Sequence, residues 1–174
     1  MSTPTNFSGA MHKFSSALFP LLSKEASESN MVFSPVSLAV ALGMALAGAQ
    51  GNTASQMASA LGFDSVEDCL AGAMSTVALL SQPSLLSRNF VAVDRAYPVL
   101  PAYLERVHQD FAAELENGDM TSEEMKNRIN KWVNEQTGGV IPQLLDQPFS
   151  ANTVAALVNT VYFKGTWTEK FDAG

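Results

Sequence analysis

Between Met31 and Ala49 the chain runs through nineteen residues without a charge, MVFSPVSLAVALGMALAGA, and any fold must take this run out of water. Asn30-Met31-Val32-Phe33 has the β-branched and aromatic content of a short buried strand. Ser34-Pro35 reads as a helix start. The hydroxyl can accept from an amide that has no partner inside the helix, and proline at the first helical position loses a donor the helix does not use. Leu38, Ala41, Leu42, Ala45 and Leu46 follow at helical spacing, with Val40 and Met44 on the other faces. A helix apolar on every side is either a membrane span or a core helix. Its helical part is about fifteen residues, short of the ~20 a span needs, so the run reads as a core helix. Gly51 to Gln56 restarts a helix, with Thr53 and Gln56 at capping-box spacing.

Around this centre the periodicity predicts further elements. Phe7, Met11, Phe14, Leu18 and Leu21 define a helix from about Asn6 to Lys24, bent or ended by Pro20. Gly62 is a helix stop, and Asp64 with Glu67 forms a second capping box before a helical segment from Val66 to Gln82, closed by Pro83. Asn89 to Tyr97 reads as a strand with Val91, Val93 and Arg95 on one face and Phe90, Ala92 and Ala96 on the other. Pro101 to Phe111 is a helix burying Tyr103, Leu104, Val107 and Phe111, with His108 off the stripe. Ala112 to Met120 is an edge strand interrupted by a turn signal at Asn117-Gly118. Thr121 and Glu124 cap a surface helix whose stripe is Met125, Ile129, Trp132 and Val133, stopped at Gly138-Gly139. Thr153 to Lys164 is a continuous apolar run, as in a strand covered on both faces. Asn159 lies inside it and must be hydrogen-bonded, since an unpaired buried amide costs ~1–3 kcal/mol.

Composition removes several function classes. At 174 residues and 47% apolar content, one domain with its own core is expected. A net charge of −7 argues against nucleic-acid and anionic-membrane partners, which require clustered Lys and Arg. Cys69 is alone, so no internal disulfide and no cysteine-rich metal site is expected; it reads as a small buried side chain, with a reactive thiol as the alternative. His12 and His108 are isolated, and no glycine-rich phosphate loop or nucleophile elbow occurs. Glu123-Glu124 and Glu114/Glu116 sit on polar segments, where solvated faces are the plain reading. No catalytic residue, metal ligand or cofactor site is therefore read, and an enzyme is not expected. The first residues lack the basic-then-apolar order of a signal peptide; if Met1 is the true start the expected compartment is the cytoplasm, with an extracellular one left open.

Three of these stretches resemble motifs of the serpin family. The first is Asn30-x-Val32-Phe33-Ser34-Pro35-x-Ser37-Leu38, then Ala41-Leu42-x-Met44, then Gly48-Ala49-x-Gly51-x-Thr53-x-x-Gln56-Met57. The second is Ile129-Asn130-x-Trp132-Val133, followed by Thr137 and Gly139, with Val140 where the family commonly has Lys. The third runs from Leu157 to Trp167 and ends near Phe171. Together they imply an α+β fold in which N-terminal helices pack on part of a large β-sheet. Residues 1–174 would then be the N-terminal part of a single serpin domain, truncated before the reactive loop.

The resemblance also implies a function. A complete serpin inhibits serine (in some cases cysteine) endopeptidases as a suicide substrate, inserting its cleaved reactive loop into the main sheet. That loop is not in these residues, so the chain alone is expected to be inactive. A non-inhibitory serpin acting as carrier or chaperone, or a structural or interaction fragment, would carry the same motifs. By resemblance, Phe33, Ser34, Ser37, Asn159 and Thr160 match the shutter-like region beneath the sheet that lets strands part, and Trp167 matches the breach-like point of loop entry. In some serpins the helix at residues 66–82 binds glycosaminoglycans through a basic patch. Here it has no Lys or Arg, so no heparin site is expected on it.

Overall fold

The computed structural model describes residues 7–26, 30–82 and 85–165. In chain order these form α1 (Phe7–Glu25), α2 (Pro35–Leu46), α3 (Gly51–Ala60), α4 (Val66–Leu79), β1 (Ser81–Gln82), β2 (Leu85–Asp94), α5 (Pro101–Phe111), β3 (Ala113–Gly118), α6 (Glu123–Gln136) and β4 (Ala155–Phe163). Strand β2 organises the sheet. It pairs antiparallel with β4 along nearly its whole length and parallel with β3, while β1 meets its first two residues. The parallel pairing follows from the connection, because α5 carries the chain back to the same end of the sheet.

Alternation along β2 splits the molecule into two apolar layers. Val91 and Val93 face a core built from α1 to α5, with Val40, Met44, Leu61, Val107 and Phe111 at its centre. Phe90 and Ala92 face α6, against Met125, Ile129, Trp132 and Val133. Both faces assigned to this strand from its period of two are thus correct over these residues. The strand itself starts earlier and ends earlier than expected. Asp94 stops it: its carboxylate accepts from the amides of Ala96 (2.8 Å) and Met120 (3.1 Å), which turns the chain away. Asn117-Gly118 does not interrupt β3, because both residues pair with Val93 and Asp94.

The uncharged run from Met31 folds differently at its two ends. Ser34 caps α2 as expected, its Oγ accepting from the amide of Ser37 at 3.2 Å. Residues 30–33 form no strand, and Val32 is 98% exposed. A β-branched run becomes a strand only when another strand pairs with it, and none does so among the described residues. Within α2 the buried residues are Ala39, Val40, Gly43, Met44 and Leu46, whereas Leu38 and Leu42 are about two-fifths exposed. The small residue decides this orientation. A methyl at Gly43 would lie 2.9 Å from Cβ of Ala73 and 3.1 Å from the ring of Phe111, so close approach there turns the leucines outward.

Other local expectations shift by a residue or yield to context. Pro20 does not end α1, which runs on to Glu25; a proline removes one amide, and the bonds resume with Ala26 N–H to Leu22 O at 3.0 Å. Ser65 rather than Asp64 caps α4, accepting from Asp68 N–H at 3.0 Å. Ser122 rather than Thr121 caps α6, accepting from Met125 N–H at 3.1 Å, while the Thr121 hydroxyl donates to Asp119 at 2.7 Å. Thr53 and Gln56 lie inside α3, whose start at Gln50 has no side-chain cap. Cys69, on the inner face of α4, is 1% exposed and burial pushes its thiol up to about 11, which fits the packing role rather than the reactive one. Among the described residues no helix is long and apolar enough to cross a membrane.

Candidate functional site

The sheet and the core helix meet at Asn159. The register places Asn159 of β4 directly opposite Asn89 of β2, and both belong to the face that looks toward α2. Asn159 Nδ2 donates to Asn89 Oδ1 at 2.8 Å and to Ser87 Oγ at 3.1 Å, with Arg88 O further off at 3.4 Å. On its other side, Asn159 Oδ1 accepts from the hydroxyl of Ser37, in the first turn of α2. Asn89 in turn donates through Nδ2 to the carbonyl of Phe111, the last residue of α5, at 2.7 Å.

This is a continuous polar path through an apolar layer: α2, β4, β2, α5. An amide suits it because it offers two donors and an acceptor on one planar group, enough to join three elements at once. Asn89 and Ser87 are almost fully buried, and Asn159 is half-buried. Each bond in such a setting matters more for what its loss would strand than for its own strength. Among the described residues the groups bonded along the path are hydroxyls, amides and backbone carbonyls.

Of the residues assigned to the opening region, Ser34, Ser37 and Asn159 come together here. Phe33 does not join the bonds; its ring lies 6.5 Å from that of Phe19, beside an open groove lined by His12, Ser15, Ser16 and Pro35. Thr160 is on the other face of the sheet, paired across from Arg88 and on the α6 side with Phe90 and Val158. Neighbouring residues of a strand point to opposite faces, so Asn159 and Thr160 cannot serve one cluster. Trp167 lies outside the described residues. Ser87 and Asn89 were missed from sequence, although the period of two that puts Val91 and Val93 inward also puts them there.

The strand carrying Asn159 is incompletely covered. β4 pairs only with β2 among the described residues, and apart from the buried Thr160 its side chains are half-buried or exposed rather than enclosed on both faces. Among the described residues its second edge is therefore open to another strand.

The family model for Serpin (serine protease inhibitor) matches residues 9–174. The leukocyte elastase inhibitor of Xenopus laevis is 35% identical over 97% of this chain and 47% of that protein. That of Sus scrofa is 38% identical over 94% of this chain and 45% of that protein. Among solved structures, thyroxine-binding globulin complexed with a thyroxine derivative superposes with a TM-score of 0.87 at 27% identity, covering 96% of this chain and 52% of that one. The native, stressed form of Arabidopsis AtSerpin1 gives 0.86 at 26% identity, covering 99% and 47%. The chain spans about half the length of the curated relatives it matches. With helices on both faces of a mixed sheet, and a family match that runs almost from end to end, the chain belongs to the serpin family.

Proposed function

We propose that a polypeptide containing this chain inhibits serine, or cysteine, endopeptidases as a suicide substrate. In this reading residues 1–174 are the N-terminal part of one serpin domain, and the reactive loop belongs to the half that the relatives carry beyond the matched region. The observation that supports it is the Ser37–Asn159 bond, which fastens the core helix to the strand with an open edge. A strand entering beside β4 must gain its backbone bonds at that edge and move β4 over α2. The cluster of Ser37, Asn159, Ser87 and Asn89 is then what must let go and re-form, with Ser34 holding the first turn of α2 in place. Phe33 would contribute packing at its margin. The names of the relatives, leukocyte elastase inhibitors at 35% and 38% identity, support a protease as the partner.

A carrier is the second reading, favoured by the close superposition on thyroxine-binding globulin, a protein solved with a thyroxine derivative. Whether this half supports loop insertion is tested by joining this chain to the C-terminal half of the Xenopus laevis leukocyte elastase inhibitor. On incubation with a panel of serine and cysteine proteases, the joined polypeptide should give a covalent complex on a denaturing gel. The 174-residue chain alone should give none. A folded joined polypeptide that is cleaved without forming a complex would show that this half does not admit the loop, and would contradict the proposal.

A further inference from the structure

Asn117-Gly118 is a turn signal in the sequence, yet it occupies the last two positions of β3. The pair carries a reactivity that has no part in the cluster at Asn159. Asparagine before glycine is the least hindered setting for attack of a backbone amide on a side-chain amide, because glycine puts no Cβ in the way. The nitrogen of Gly118 bonds to Cγ of Asn117, and the side-chain nitrogen leaves as ammonia. Water then opens the succinimide at one carbonyl or the other. The product is aspartate or, with one more main-chain carbon, isoaspartate. Water is the only co-reactant.

Strand pairing keeps the reacting groups apart. Asn117 stands opposite Val93 and Gly118 opposite Asp94 in the parallel ladder. The Gly118 carbonyl accepts from Arg95 N–H at 2.9 Å, and the same register commits the Gly118 amide to β2. A parallel strand also holds ψ at about +115°, far from the rotation that brings the next amide nitrogen to Cγ. The protection is only as firm as the strand. β3 is six residues long and pairs only with β2 among the described residues. Asn117 is exposed and lies where the pairing stops, so opening from this end frees it first.

We propose that Asn117 is a deamidation site held in check by the pairing of β3, so that detachment of this edge strand is recorded covalently and its return is hindered. Aspartate adds a third carboxylate to the run from Glu116 to Asp119. The guanidiniums of the recess beside it, Arg95 and Arg128, are already paired with Asp119 (3.6 Å) and Glu116. Isoaspartate moves Gly118 out of register with Asp94 and takes the acceptor from Arg95 N–H. It also shifts Gly118 against Met125 of α6, where an added methyl would come within 2.8 Å of Cε. None of this depends on protease inhibition.

The test is to incubate the 174-residue chain in mildly alkaline buffer, with and without urea, and digest it with trypsin. Cleavage after Arg106 and Lys126 releases residues 107–126, in which Asn117 is the only asparagine. Mass spectrometry of this peptide should show conversion of amide to acid, and isoaspartate methyltransferase should label part of the product. Conversion without urea should be slower by about tenfold or more, because it waits on the opening of β3. Equal rates would overturn the proposal, as would no conversion in urea. Asn117→Gln should abolish the labelling of this peptide, and labelling that persists would place the reaction elsewhere. In the converted chain the Arg95 amide should exchange with deuterium about tenfold faster. Unchanged exchange would show that the modified strand returns to its place, and would overturn the hindrance.

Discussion

Trp132→Ala is expected to destabilise the joined polypeptide by about 3–5 kcal/mol, the range for removing a large aromatic side chain from a packed interior. The indole is 6% exposed and packs against Phe90, with ring centroids 5.1 Å apart and the planes tilted by 43°. Met125, Ile129 and Val133 surround it on the same stripe, each at most 2% exposed. Alanine would leave a void between α6 and β2 that neither the rigid sheet nor a capped helix can close. Removing the indole N–H, which has no partner among the described residues, returns about 1–3 kcal/mol at most, which lowers the loss without reversing it. Trp132→Phe separates the two effects, because it keeps most of the ring and drops the N–H; its loss should be much the smaller. The check is urea denaturation, with the midpoint falling and the slope unchanged. An unchanged midpoint for Trp132→Ala would mean that the stripe does not pack on the sheet.

Asn159→Ala should cost about 1–3 kcal/mol in the same polypeptide, toward the upper end of that range. The substitution removes no large volume, so its effect comes from the partners it strands. Ser37 loses the acceptor of its hydroxyl, and Asn89 Oδ1 and Ser87 Oγ lose a donor, the latter two in an almost water-free position. Asn89 keeps its bond to Phe111 O, which limits the damage to the β4 side. The lowered midpoint should come with faster exchange of the first-turn amides of α2. A melting transition unchanged within error would show that the amide contributes nothing to holding the strand.

Much of this is legible in the sequence. The limits of α5 follow from Pro101 and from the spacing of Val107 and Phe111, both local signals. The α6 stripe follows equally from its period, and Asn159 announces itself as a polar residue inside an apolar run. What escaped depends on distant neighbours. Val32 looks like strand sequence, and only pairing could have made it one. Leu38 and Leu42 look like core, but the helix turns its glycine inward because Phe111 and Ala73 come so close there. The capping positions of α3, α4 and α6 differ from those the spacing predicts, because several polar residues adjoin at each helix start and the turn of the chain chooses between them. Thr160 is the instructive case. The resemblance groups it with Asn159, whereas the alternation of a strand places it on the opposite face, under α6.

A double-mutant cycle on Ser37 and Asn159 decides whether the core helix is tied to the open-edged strand through this one bond. Ser37→Ala, Asn159→Ala and the double variant would be compared by urea denaturation of the joined polypeptide. A coupling of about 1 kcal/mol or more is predicted, since either single change already removes the shared bond. Losses that add to within about 0.3 kcal/mol would show two independent side chains, and would contradict the fastening of β4 to α2.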